Sequence, residues 1–204
     1  MVASTTRWNH NLHHHPLVLD ALGPDPGRVL DVGCGEGDLV AELAGRATSV
    51  VGLDRHGPTV AVAQLQRRAT GQVGVAYVVG DLLDAPFPVA SFDAVVSVAA
   101  VHHVPTTAAL RALADLVRPG GTLVVVGLAR TRSPRDAAWD AAGFAANQVL
   151  RRRRARHETS APKVWPPPDT YGAVARTARV VLPGVTYRRH PLFRYSLVWH
   201  RPGD

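Results

Sequence analysis

The stretch VLDVGCGEGDLVAEL, Val29 to Leu43, is an apolar run that breaks into three glycines, Gly33, Gly35 and Gly37, and passes at once into helix-like spacing. A strand that ends in a glycine turn and opens a helix lets main chain approach a ligand closely and aims unpaired N–H groups at it. The spacing here is G-x-G-x-G. Asp38 stands where the third glycine of the dinucleotide fingerprint G-x-G-x-x-G belongs. A carboxylate there repels a pyrophosphate, which argues against NAD, and nothing matches the G-x-x-x-x-G-K-[ST] of a P-loop. Imidazoles form the second reactive group: His102 and His103 in SVAAVHHV, and His10, His13, His14 and His15 beside Trp8 in RWNHNLHHHP. His10 and His14 share i, i+4 spacing, but with no clear carboxylate or cysteine partner no metal site is expected. The single cysteine, Cys34, lies inside the glycine turn. It reads as a small packed side chain rather than a nucleophile, and being alone it excludes an internal disulfide framework and a multi-cysteine zinc site.

Five apolar runs would position these groups: RVLDVG, TSVVGLD, VAYVVG, FDAVVSV and TLVVVGLA, with helix-like segments between them. Their near-continuous valine and leucine suit strands covered on both faces, so the chain predicts an α/β fold with a mostly parallel sheet. Helices are expected after the glycines through Leu39, Val40 and Leu43, from Pro58, and from about Thr107 to the RPGG that should stop it. Ligands in such sheets sit beyond the carboxyl ends of the strands, which places His102 and His103 near the chemistry. After residue 128 the rhythm changes to a helix from Pro134 to about Arg156, a proline-rich loop, a short helical segment, and strand-like runs around RVVLPGVTYRRH and FRYSLVWHR that could pair as an antiparallel hairpin.

With 204 residues, 46% of them hydrophobic and 19% charged, the chain suits one domain. MVASTTRWNHNLHHHP has no apolar core of a signal peptide and no run is long enough to span a bilayer, so a soluble cytoplasmic protein is expected. The net charge is +7 and Lys163 is the only lysine. Arg130, Arg132, Arg135, Arg151 to Arg154 and Arg156 cluster, as an anionic substrate or nucleic acid would require. Four consecutive arginines nevertheless point all round a helix, which favours a solvated one.

VLDVGCGEGDL, VVGLD, VVGDLLDAPFPVASFDAVVSVAAVHHV and LADLVRPGGTLVVVG, in this order over residues 28 to 128, resemble the successive motifs of class I S-adenosylmethionine-dependent methyltransferases, closest to the small type of ubiquinone and menaquinone biosynthesis. The resemblance implies a Rossmann-like fold, a mostly parallel seven-stranded sheet with helices on both faces and an antiparallel C-terminal hairpin. It implies S-adenosylmethionine as cofactor and S-adenosylhomocysteine as product. Asp31, Gly33, Cys34, Gly35 and Gly37 then match the loop around the methionine moiety, Asp54 with Arg55 the ribose position, and Asp81 and Leu82 the adenine edge; Val98 closes the fourth run beside them. Residues 1–27 would form a lid, 28–128 the cofactor core, 129–175 a substrate-side insertion and 176–204 the hairpin. His102, His103 and His14 are candidates for a catalytic base, and Trp165, Tyr171 and His190 for the acceptor side. The expected acceptor is a small molecule, anionic if the arginine cluster serves it, handled by a monomer or homodimer with no membrane partner.

Two other readings stand beside this one. The arginines could bind nucleic-acid phosphates. Against this, SVAAVHHV replaces the Asn/Asp-Pro-Pro-aromatic motif of amino-methylating enzymes, WPPPDTY lies far downstream, and the only cysteine sits in the cofactor loop rather than where cytosine carbon methylation needs one. A peptide or protein acceptor is the related option. The third reading is a non-catalytic S-adenosylmethionine-binding protein, against which the full set of glycines and acids argues.

Overall fold

Alternation along the strands decides how this chain layers, because successive strand residues face opposite sides. The computed structural model describes residues 8–153 and 165–203. Its strands are β1 (Arg28–Val32), β2 (Ser49–Asp54), β3 (Val75–Val79), β4 (Phe92–Val98), β5 (Val117–Gly127), β6 (Thr186–His190) and β7 (Arg194–His200). They form one sheet in the order β3-β2-β1-β4-β5-β7-β6. The pairs from β3 through β5 are parallel, while β7 runs antiparallel to both β5 and β6. Both the α/β class and the antiparallel C-terminal hairpin expected from the sequence are therefore present.

The helices are α1 (His15–Leu22), α2 (Asp38–Leu43), α3 (Gly57–Thr70), α4 (Thr106–Leu116), α5 (Pro134–Arg153) and α6 (Tyr171–Val181). Leu30, Val95, Leu123, Val125 and Leu197 pack with Leu110 and Leu113 of α4 and with Val174 and Ala178 of α6. Their strand neighbours Val29, Ala94, Val96, Val124 and Val126 pack on the other face with Val18 and Leu19 of α1 and Leu39, Val40 and Leu43 of α2. Removing both faces from water is the main stabilising term for such a sheet.

Two boundaries differ from the sequence expectation, and a third lies outside the described residues. α4 ends at Leu116, just before RPGG as expected, but β5 starts earlier than TLVVVGLA: Val117 already pairs with Phe92, and the strand runs through the two glycines with a register shift. Residues 179–181 are the last turn of α6 rather than strand, because Ala178 must reach the core from the same helical face as Val174. Arg151, Arg152 and Arg153 lie on the end of α5, while Arg154 and Arg156 fall outside the described residues.

Candidate active site

At the carboxyl ends of β1, β2 and β4 the chain leaves the sheet and opens a cavity of about 580 Å3. Gly33 and Cys34 donate backbone N–H bonds to the Leu53 carbonyl at 2.7 and 3.2 Å, pinning the glycine turn to β2. The Ser97 hydroxyl donates to the Val32 carbonyl at 2.9 Å and ties β4 to the same corner. Asp54, the last residue of β2, is held by two main-chain donors: Gly35 N–H reaches Oδ2 at 2.9 Å and His56 N–H reaches Oδ1 at 2.8 Å. A carboxylate so oriented keeps lone pairs on both oxygens for further donors. Gly35 has φ +53°, and no atom lies within 4 Å of where its side chain would begin, so the turn leaves an open cradle beside Asp54.

Asp31 is 2% exposed at the end of β1, and its carboxyl is pushed up to about 7. Burial is the main cause, and the nearby Asp54 charge adds to it, while His15 opposes both. The His15 ring is itself buried, with Nδ1 2.8 Å from Glu42 Oε1. Asp81 follows β3, and its Oδ1 accepts from Leu83 N–H at 2.9 Å, capping a one-turn helix over Leu82–Asp84.

Asp31, Gly33, Cys34, Gly35, Asp54, Arg55, Asp81, Leu82 and Val98 all line the cavity, as do His102 and His103 on the one-turn helix that follows β4. Gly37 and His14 do not. Gly37 caps α2 at φ +84° and is buried, and a side chain there would strike the Tyr77 hydroxyl and meet Ala63 at 3.2 Å. Its glycine is needed for packing behind the loop. Gly37→Ala should therefore cost about 2 kcal/mol of stability in urea unfolding; an unchanged midpoint would mean that Tyr77 moves aside freely.

His14 is not a base facing an acceptor. It is 5% exposed, packs against His13 and His190, and is held neutral with its pKa pushed down to about 3, by burial first and then by His13, Arg194, His190 and His10. Residues Asn9 to Leu12 and His15 are the parts of this segment that reach the cavity. Helical spacing alone misplaces His14 because Leu12–His14 forms a tighter turn that precedes α1. Trp165 lines the cavity, but Tyr171 and His190 do not. Tyr171 is covered by the Arg189 guanidinium 3.1 Å over its ring, and His190 Nε2 lies 2.7 Å from the Ser196 hydroxyl.

Sequence reasoning missed Asn11, Leu128, Phe193 and Arg194, which also line the cavity. No local motif marks them. Only antiparallel pairing of β7 with β5 brings residues 193 and 194 to the end of β4.

The His102 and His103 rings lie 4.3 Å apart, each with a buried Nδ1 that has no hydrogen-bond partner. Burial, followed by the neighbouring His103 and Arg194, pushes His102 down to about 4; burial and Arg55 lower His103. Both imidazoles are neutral near pH 7. Burial raises the Cys34 thiol, with Asp31 and Asp54 adding to the effect, so Cys34 stays protonated and is no nucleophile. The cavity thus combines carboxylates beside open main chain with the imidazoles of His102 and His103 and the guanidinium of Arg194. Carboxylates facing an open glycine cradle suit a ligand with hydroxyls and positive charge and oppose a polyphosphate.

Residues 30–125 match the family described as "Methyltransferase domain". An uncharacterized methyltransferase of Mycobacterium tuberculosis is 40% identical over 197 residues, 96% of this chain and 98% of that one. A ubiquinone biosynthesis O-methyltransferase of Xanthomonas axonopodis is 42% identical over 112 residues, 54% of this chain and 46% of its own length. The fold is shared with a SAM-dependent methyltransferase from Aquifex aeolicus, at TM-score 0.63 and 15% identity over 91% of this chain and 88% of that one. Forty per cent identity over nearly the full length of a methyltransferase, together with the ordered acid and glycine corner, places the chain in the class I S-adenosylmethionine-dependent methyltransferase family.

Proposed function

We propose that this enzyme moves a methyl group from S-adenosylmethionine to an oxygen, nitrogen or carbon nucleophile of a small-molecule acceptor in the cytoplasm. The observation that carries this reading is one cavity of about 580 Å3 that joins the acid-rich corner to the ends of Asn9–Leu12 and the β6–β7 hairpin. That volume falls in the range of small-molecule sites, roughly 300–1,000 Å3. The name of the Xanthomonas relative, an O-methyltransferase, supports the same class of acceptor. No helix among the described residues is long and apolar enough to cross a membrane.

When bound, S-adenosylmethionine supplies an electrophilic methyl carbon on a sulfonium. The chain supplies the rest. Asp54, fixed by Gly35 and His56, accepts bonds from ribose hydroxyls, and Asp81 and Leu82 meet the adenine. The open Gly35 turn admits the methionine portion against main chain, with Arg55 and Val98 at its border. Residues 8–27 act as the lid over the core of residues 28–128, and residues 129–153 and 165–175 with the C-terminal hairpin close the acceptor side; the rest of the expected lid and insertion lies outside the described residues. His103, less buried than His102 and neutral, takes the acceptor's proton as the nucleophile attacks in line.

Asp31 makes the cofactor step pH-dependent. An acid whose folded pKa is raised from about 4 to about 7 stabilises the fold below the lower value, and that contribution is lost as pH rises through the upper one. A cationic occupant favours the ionised form, so affinity should rise with pH through about 7 and then level, with proton release on binding. Calorimetry in two buffers of different ionisation enthalpy measures that release. If Asp31→Asn released as many protons, Asp31 would not be the titrating group.

The acceptor class is tested by incubating the protein with methyl-labelled S-adenosylmethionine and a producer-cell extract, then separating small metabolites, nucleic acid and protein. Label in a discrete metabolite is expected. Label confined to RNA or protein would overturn the reading.

A further inference from the structure

Arg194 is 6% exposed, lines the cavity beside Phe193, and has no carboxylate partner among the described residues. Of its five N–H donors, Nη2 donates to Asn11 Oδ1 at 2.9 Å and Nη1 to the Leu192 and Phe193 carbonyls at 3.4 Å each. Nε is buried with no acceptor at all. His14, His102 and Tyr171 feel its charge, and none of them is a carboxylate. Arg189, on the adjacent strand, shows the contrast: it lies over the Tyr171 ring and 3.6 Å from Asp140. A buried guanidinium without a counterion is costly, and an apolar side chain of similar volume would serve packing better.

The backbone is also strained to put it there. Leu192 and Phe193 both take left-handed conformations, at φ +60° and +64°, in the turn that joins β6 to β7. That turn buries Leu192 completely and aims Phe193 and Arg194 at the cavity. Successive left-handed residues without glycine persist only where surrounding structure enforces them, and such strain gathers at ligand sites.

We propose that Arg194 is the anion receptor of the acceptor end, and that the methyl acceptor is a small molecule with one oxyanion, a carboxylate or an ionised phenol or enol, paired to its guanidinium. The proposal rests on the small-molecule reading above and names the acceptor's chemistry. Asp31, Asp54 and Asp81 line the same cavity, so one negative charge is accommodated and a phosphate dianion is disfavoured. Phe193, with the His10 ring 6.2 Å from it, offers a flat, largely apolar surface to the acceptor's body. Arginine is suited to the role because its planar fork matches a carboxylate in two parallel bonds. The clustered arginines from residue 130 onward are not needed for it: Arg130 and Arg132 are exposed and do not line the cavity.

The test is calorimetry near neutral pH on protein saturated with S-adenosylhomocysteine, titrated with benzoate, phenylacetate and cinnamate, with their primary amides, and with inorganic phosphate. Each acid should bind at least about 10-fold more tightly than its amide and more tightly than phosphate. Arg194→Gln should abolish the preference. Asn11→Asp should abolish it too, by giving Nη2 an internal counterion; this variant keeps the guanidinium and its packing in place, so it tests the charge separately from the loss of the side chain. Equal binding of acids and amides would overturn the anion site and leave the small-molecule reading standing. Binding of neither would count against both. Acid preference that survives Asn11→Asp, or tighter binding of phosphate, would overturn the assignment of Arg194 to a single oxyanion.

Discussion

Replacing Asp54 by alanine is expected to weaken S-adenosylmethionine and S-adenosylhomocysteine binding about 100-fold, roughly 2.7 kcal/mol. Two losses combine. Charge-assisted bonds from a ligand to a fixed carboxylate contribute about 1.5–3 kcal/mol. The alanine also releases Gly35 N–H and His56 N–H, the two donors that hold the carboxylate and through it the glycine turn. Asp54→Asn is no conservative control, because its NH2 must face one of those two donors where an oxygen now accepts. It should lose about 10-fold or more. Calorimetry with S-adenosylhomocysteine checks both variants, and an affinity for the alanine variant within about threefold of the parent would remove Asp54 from the ribose position.

The second large effect is expected from Gly35→Leu. The side chain would start in space where no protein atom lies within 4 Å, so the fold loses only the cost of a left-handed residue at φ +53°, about 1–2 kcal/mol. It would nonetheless fill the cradle beside Asp54, and cofactor affinity should fall by at least about 100-fold. Thermal unfolding together with calorimetry separates the two. A variant that melts a few degrees lower yet binds no cofactor is the expected result. One that binds normally would show that the methionine portion does not pass over the turn. Gly37→Ala is predicted to behave oppositely, losing stability first, because its side chain would meet Tyr77 and Ala63 rather than open space.

Much of the cofactor corner was legible because it is local. Asp31, Gly33 and Gly35 lie within five residues, and Asp54 and Asp81 each end an apolar run whose composition already reads as a buried strand. The acceptor side was not legible. His14 looked as available as His10, yet a tight turn before α1 buries one and brings the other to the cavity. Arg151 to Arg154 form the conspicuous charge run, while Arg194, which lines the cavity, sits in the strand-like run FRYSLVWHR with no motif around it.

Sequence by itself determined the alternation of strands and helices, the parallel core of the sheet, the glycine turn and the acids at the ends of the first three strands. These rest on hydrophobic periodicity and on turn chemistry, which act over a few residues. Tertiary structure alone decided which histidines stay near the cavity, which glycine is cradle and which is packing, and that Arg194 is buried beside Asn11, 183 positions away in the chain. Those outcomes depend on β7 entering the sheet antiparallel against β5, and long-range pairing of that kind is set by the collective burial of both sheet faces rather than by any property of the residues it brings together.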